Sequence, residues 1–128
     1  MARKIVHSDD APKAIGPYSQ AVQVDAGKMT FLSGQIPLDP KTMEMVQGDV
    51  VVQAEQVMKN LGAVLKAAGL DFSHVVRSTI FLTDLADFAR VNEVYGRYFP
   101  GEPPARATVQ VAALPRGSKV EIDAIAVS

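Results

Sequence analysis

The segment Val120-Glu121-Ile122-Asp123-Ala124-Ile125-Ala126-Val127 constrains the fold more than any other. It opens as an alternating strand and ends apolar at every position. Alternation buries one face of a strand, whereas a strand apolar on both faces needs cover on both. Only two other stretches repeat with helical spacing, and two helices roof one face of a sheet. The chain is therefore expected to be an α+β domain, helices on one sheet face, whose other face is covered by a second copy of itself.

The remaining punctuation fits that frame. The chain has 128 residues and no repeat, linker or low-complexity tract, so residues 1–128 are read as a single domain. A short edge strand is expected over 4–7. Strands over 19–24 and 29–35 are expected to form a hairpin about Asp25-Ala26-Gly27-Lys28. A polar loop from Pro37 to Gly48 leads to Asp49, a helix N-cap. Ala54, Val57, Met58, Leu61, Val64, Leu65 and Ala68 then recur at helical spacing, and Gly69 follows as the C′ residue. A strand over 74–82 comes next. Thr83 or Asp84 caps a second helix with the stripe Phe88, Val91, Tyr95 and Tyr98, ended by Pro100, Pro103 and Pro104. Strands over 106–111 and 120–127 flank the turn Pro115-Arg116-Gly117-Ser118. The order is β-β-β-α-β-α-β-β.

Composition removes whole classes of chemistry. Without cysteine there is no disulfide, thiolate nucleophile or Cys-based metal site. His7 and His74 stand far apart and form no metal-ligating pair, so no metal is expected. No Gly-rich phosphate loop or GxSxG elbow occurs, and no cofactor is expected. Thirteen basic and fourteen acidic residues give a net charge of −1 with no basic run, so nucleic acid is not an expected partner. No 18-residue apolar stretch predicts a membrane span, and the first ten residues turn acidic before any apolar run. A cytoplasmic protein is the expectation.

The polar residues set among apolar strands are the candidates for chemistry. Arg106 follows Pro103-Pro104-Ala105 at a strand head; an arginine held so can grip a carboxylate through two parallel N–H···O bonds, or be an ordinary surface arginine. Glu121 lies in the apolar last strand, where a carboxyl can position or deprotonate water, or simply pair with a lysine. Asp123 shares its face, deeper in the apolar run. Tyr18 either donates its hydroxyl to a ligand or fills the core edge. At Ser33 and Gly34 a strand end lets a backbone N–H approach an anion, or merely turns. His74 reads as a satisfied structural histidine.

Together these segments carry a resemblance. AIGPYSQAV (14–22), SGQIPLDP (33–40), KNLGAVLKAAG (59–69), TDLADFARVNEVY (83–95), PPARATVQVAALP (103–115) and VEIDAIAV (120–127) resemble the Rid, or YjgF, family of reactive-intermediate deaminases over essentially the whole chain. The resemblance implies a chorismate-mutase-like fold and a homotrimer with sites in the clefts between subunits. It implies cofactor-independent hydrolysis of 2-imino acids to 2-keto acids and ammonia. The alternatives are a non-catalytic trimer sensing small carboxylates or keto acids, and an endoribonuclease or translation inhibitor. Carried over, Arg106 holds the substrate carboxylate, Glu121 stands near the attacking water, and Tyr18 is the site tyrosine. Ser33 and Gly34 contact ligand partly through backbone. Thr108 stands where many members have cysteine, and its implied contact is through the main chain. The chain departs from the family at Pro100-Gly101-Glu102-Pro103, a shorter bridge, and at Thr42-Met43-Glu44-Met45, where a Thr-Gly turn is common.

One geometric expectation follows if the last two strands form a hairpin with Leu114 opposite Lys119. Ala112 then opposes Glu121, and Arg106 lies six residues away, roughly 20 Å at about 3.3 Å per residue. A site using both residues has to take Arg106 from one subunit and Glu121 from the next.

Overall fold

A computed structural model describes residues 3–25 and 27–128; Ala26, in the expected hairpin loop, lies outside the described residues. The elements in chain order are β1 (Arg3–Val6), β2 (Ala21–Val24), β3 (Met29–Gln35), α1 (Val50–Ala67), β4 (Val75–Leu82), α2 (Phe88–Arg97), β5 (Ala105–Gln110) and β6 (Val120–Val127). This is the β-β-β-α-β-α-β-β order read from sequence, with both helices against one mixed sheet.

Local chemistry sets both ends of α1. The Asp49 side chain accepts from the N–H groups of Val51 and Val52, satisfying two donors that the first turn leaves orphaned. At the other end Gly69 takes φ +77°. Leu70 N–H donates to Leu65 O at 2.8 Å and Gly69 N–H to Lys66 O at 3.0 Å, the paired bonds of a Schellman end. Between these caps Val57, Met58, Leu61 and Leu65 are buried against Val120, Ile122, Ala124 and Ile80, each large side chain contributing about 1.5–3 kcal/mol. Asp84 caps a short 3₁₀ turn, Leu85–Asp87, that feeds α2. That helix buries Val91, Val94 and Tyr95.

The sheet order is β3-β6-β4-β5, with β5 parallel to β4 and β6 antiparallel to both its neighbours. Two expectations fail here. β2 does not pair with β3; it pairs with β1 as a separate two-stranded ribbon, Ile5 opposite Val22. Nor do β5 and β6 form a hairpin. The cause is a competition for cover: β6, the most apolar strand, takes the centre of the sheet under α1, and the more polar β5, with Arg106, Thr108 and Gln110, is left at the edge. The connection crosses β4 through the turn Pro115–Gly117, where Arg116 and Gly117 take φ 57° and 71°.

Along β6 the buried residues alternate: Val120, Ile122, Ala124 and Ala126 face the helices. The opposite face carries Glu121, Asp123, Ile125 and Val127, level with Phe81, Thr79, Phe31 and Met29 on the adjoining strands. Val127 on this face is buried within the chain, but Phe31 and Met29 beside it are 66% and 56% exposed. No described helix is long and apolar enough to cross a membrane.

Candidate functional site

Two hydrogen bonds bring the site's ends together. Pro103 and Pro104 precede β5, and Ser19 binds both: its N–H donates to Pro104 O at 3.1 Å and its hydroxyl to Pro103 O. Buried Ser19 thus fastens the segment carrying Gly16 and Tyr18 beside the head of β5. Arg106 and Thr108 alternate with Ala105 and Ala107 and, paired with Ser78 and Ile80, face the helix layer. There α2 presents Phe88, Asn92 and Tyr95. Between them lies a cavity of about 310 Å³ lined by Ile15, Gly16, Tyr18, Phe88, Asn92, Arg106 and Thr108.

The Arg106 guanidinium is the centre of this cavity. Its carbon lies 5.1 Å from the Tyr95 ring centre, 5.5 Å from Tyr18 and 5.7 Å from Phe88, within the range of cation–π attraction. Nη1 donates to Asn92 Oδ1 at 2.7 Å. That fixes the plane of the group and leaves its Nε–Nη2 edge open, the edge that meets a carboxylate with two parallel bonds. Burial lowers its pKa, opposed by the Tyr95 and Tyr18 hydroxyls; an arginine keeps its charge regardless. Among the described residues no carboxylate stands within ion-pair distance of it. Tyr95 is itself anchored, its hydroxyl 2.6 Å from Ser78 Oγ, and burial pushes its pKa up to about 12.

Ser33, Gly34 and Glu121 gather elsewhere. Leu32 pairs with Ala124 and Gln35 with Ile122, so Ser33 and Gly34 together oppose Asp123 in a β-bulge, a feature common beside functional sites. A Cβ at Gly34 would overlap the Glu121 carboxylate, which would then have to swing aside. Asp123 is engaged, its Oδ1 accepting from Thr79 N–H at 3.2 Å. His74, expected to be satisfied within the structure, completes a capping box by accepting from Asp71 N–H.

The structure therefore divides the candidates into two groups on opposite faces of the sheet: Arg106, Thr108 and Tyr18 on the helix side, Glu121 with Ser33 and Gly34 on the open side. Arg106 is level with Ser78, and Ser78 with Ala124, three residues from Glu121. Two strand spacings and three residues put their Cα atoms roughly 14 Å apart. The hairpin that suggested 20 Å is absent, yet opposite faces separate the two side chains more firmly than distance along a strand.

Asn92, Phe88, Ile15 and Gly16 belong to the cavity and were not singled out as site residues from the sequence. Asn92 had a signal: it lies four residues after Phe88 and three before Tyr95, on the face of the aromatic stripe. Among the described residues no group of three or more His, Asp or Glu is placed to hold a metal ion.

A family model described as endoribonuclease L-PSP matches residues 8–128. Protein DfrA of Myxococcus xanthus is 88% identical over 128 residues, covering all of this chain and 98% of that protein. The 2-iminobutanoate/2-iminopropanoate deaminase of Mus musculus is 58% identical, covering 98% of this chain and 91% of its own length. The chain belongs to the Rid family. Among solved Rid-like structures, Escherichia coli TdcF with bound serine superimposes with a TM-score of 0.76 at 48% identity, covering 98% of each chain. The sequence-level resemblance thus extends to the whole architecture. Rid relatives between 50% and 58% identical bear the name of imine deaminases.

Proposed function

We propose that the chain hydrolyses 2-imino acids to 2-keto acids and ammonia, at clefts between the copies of a homotrimer. The observation that carries this reading is the half-buried Arg106 guanidinium, charged, oriented by Asn92, and open along one edge within a small cavity. Such a group awaits a small carboxylate. The serine bound to the Escherichia coli relative is an α-amino carboxylate, the right class of anion.

The reaction asks little of the protein. A protonated imine is already electrophilic at C2. Water adds there, the C=N electron pair moves to nitrogen, and a carbinolamine forms. A proton passes from the added oxygen to nitrogen, the C–N bond breaks, and ammonia leaves as the carbonyl closes. Catalysis amounts to positioning and charge stabilisation. Arg106 fixes the carboxylate. The Glu121 carboxylate of a neighbouring copy takes the proton of the attacking water and returns it to the departing ammonia, with the Ser33–Gly34 bulge beside it. Tyr18, Phe88 and Ile15 keep bulk water from the apolar part of the substrate. Burial of the face bearing Phe31 and Met29 supplies the reason to assemble.

The test couples an amino-acid oxidase or threonine dehydratase, as imine source, to ammonia release. Arg106→Ala is expected to lower kcat/KM by about one to two decades, the loss of a charge-assisted contact worth roughly 1.5–3 kcal/mol. Equal rates for wild type and variant overturn the reading. Binding of 2-ketobutyrate without any hastening of ammonia release points to a sensor instead.

A further inference from the structure

The sheet face turned away from the helices carries a cation with no counter-ion. Arg77 of β4 is exposed there, level with Ile125 of β6 and Ala105 of β5. Among the described residues no carboxylate stands within ion-pair distance of it. Its surroundings are apolar: Phe31, Phe81, Ile125 and Val109 occupy the same face. The other charges that the described strands place on this face are Glu121 and Asp123. Glu121 lies against the Gly34 bulge. Asp123 accepts from Thr79 N–H through Oδ1 alone, which leaves its second oxygen for another donor. Arg77 and Asp123 are diagonal neighbours across β4 and β6, about 7–8 Å apart, yet the pair is not made within the chain.

We propose that Arg77 of one copy pairs with Asp123 of the next, and that this ion pair sets the register in which copies of the chain assemble. Covering the face takes Arg77 out of water. A guanidinium cannot shed its proton, so without a counter-ion it opposes the burial that Phe31 and Met29 favour. An apolar partner of another kind leaves that charge unmet. A second copy supplies the missing acid, because every copy carries both halves of the pair on one face. Charged pairs of this sort decide alignment and exclude wrong partners more than they add affinity. Arg77 directly precedes Ser78, the residue level with Arg106, and Asp123 lies two residues from Glu121. The pair therefore fixes how the arginine half of one copy meets the glutamate half of the next. This rests on the reading of the protein as an assembly with shared clefts, and not on the reaction proposed for them.

The experiment compares wild type, Arg77→Glu, Asp123→Lys, the double variant, and an equal mixture of the two single variants. Oligomer mass is followed by sedimentation over a concentration series, with circular dichroism to confirm folding. Each single reversal is expected to raise the concentration for half-assembly by about 30-fold or more. The double variant returns close to wild type. The mixture assembles at concentrations where neither variant does alone, because a mixed ring of three matches two of its three contacts. Should Asp123→Lys fail to fold, Asp123→Asn keeps an oxygen for Thr79 N–H and takes its place in the mixture. Wild-type mass for Arg77→Glu throughout the series overturns the proposal. So does a double variant that assembles while the mixture does not, since that pattern marks a pair within one chain. A wild type that stays monomeric overturns the pair and the shared clefts together. Assembly lost and regained as described supports the pair even if wild type turns over no imine, a result that sinks the deaminase reading alone.

Discussion

A guanidinium set among three aromatic rings gives up hydration on its covered side while keeping its charge, and is most stable when an anion reaches the open edge. Tyr95 beneath Arg106 belongs to the same device. Its phenol is pushed up to about 12 by burial, with the Ser78 hydrogen bond and the Arg106 charge pulling the other way. A tyrosine raised above its unfolded value of about 10 contributes stability that is complete below pH 10 and lost as pH climbs through the folded value. Melting temperature is therefore expected to fall between about pH 10 and 12. Tyr95→Phe starts lower, because Ser78 loses its partner at a cost of about 1–3 kcal/mol, but has a shallower alkaline slope. Tyr98, also raised to about 12 by burial and then by Glu55, keeps part of that slope in the variant. An alkaline limb equally steep in both proteins would show that Tyr95 does not titrate with unfolding.

At the scale of elements, the loop before α1 holds strain where the sequence departs from the family's usual turn. Met43 occupies a left-handed conformation, φ 61°, at the Thr42-Met43 step where a Thr-Gly turn is common in the family. It cannot relax: its N–H donates to Asp39 O at 2.7 Å, Asp39 N–H donates to Glu44 O at 2.9 Å, and Arg116 holds the Met43 carbonyl. The conformation costs a non-glycine residue about 1–2 kcal/mol, and glycine returns about 0.4–1 kcal/mol through its freer unfolded chain. Met43→Gly is expected to stabilise by up to about 1 kcal/mol, seen as a higher urea midpoint at unchanged slope; a lower midpoint refutes the strain. Legibility follows the same division between local and distant. Both ends of α1 were readable because Asp49 and Gly69 act on residues within a turn of themselves. The partners of β2 and β5 were not, because pairing is settled by which strand most needs cover. Arg106 was legible from its prolines. Asn92 shares the face of Phe88 and Tyr95, a signal that gains meaning only once Arg106 is known to lie opposite.

For the whole molecule, the apolar end of β6 gave the expectation that a second copy covers the sheet, and Phe31 and Met29 are exposed on that face. The division of the candidate residues between opposite faces is a consequence that periodicity alone did not give, because the faces depend on the β4–β5 and β4–β6 registers. It yields a sharp expectation for mixed assemblies. Arg106→Ala is expected to keep about a hundredth to a tenth of the wild-type kcat/KM, and Glu121→Ala to fall at least as far. In the proposed trimer each cleft would join the Arg106 side of one copy to the Glu121 side of the next, a head-to-tail contact. When the two impaired proteins are unfolded together and reassembled in equal amounts, roughly one cleft in four receives an intact arginine from one parent and an intact glutamate from the other. Ammonia release should then recover to about a quarter of the wild-type rate, whereas mixing the folded variants without exchange recovers none. A site built within one chain gives no recovery under either protocol, because every copy carries one of the two lesions.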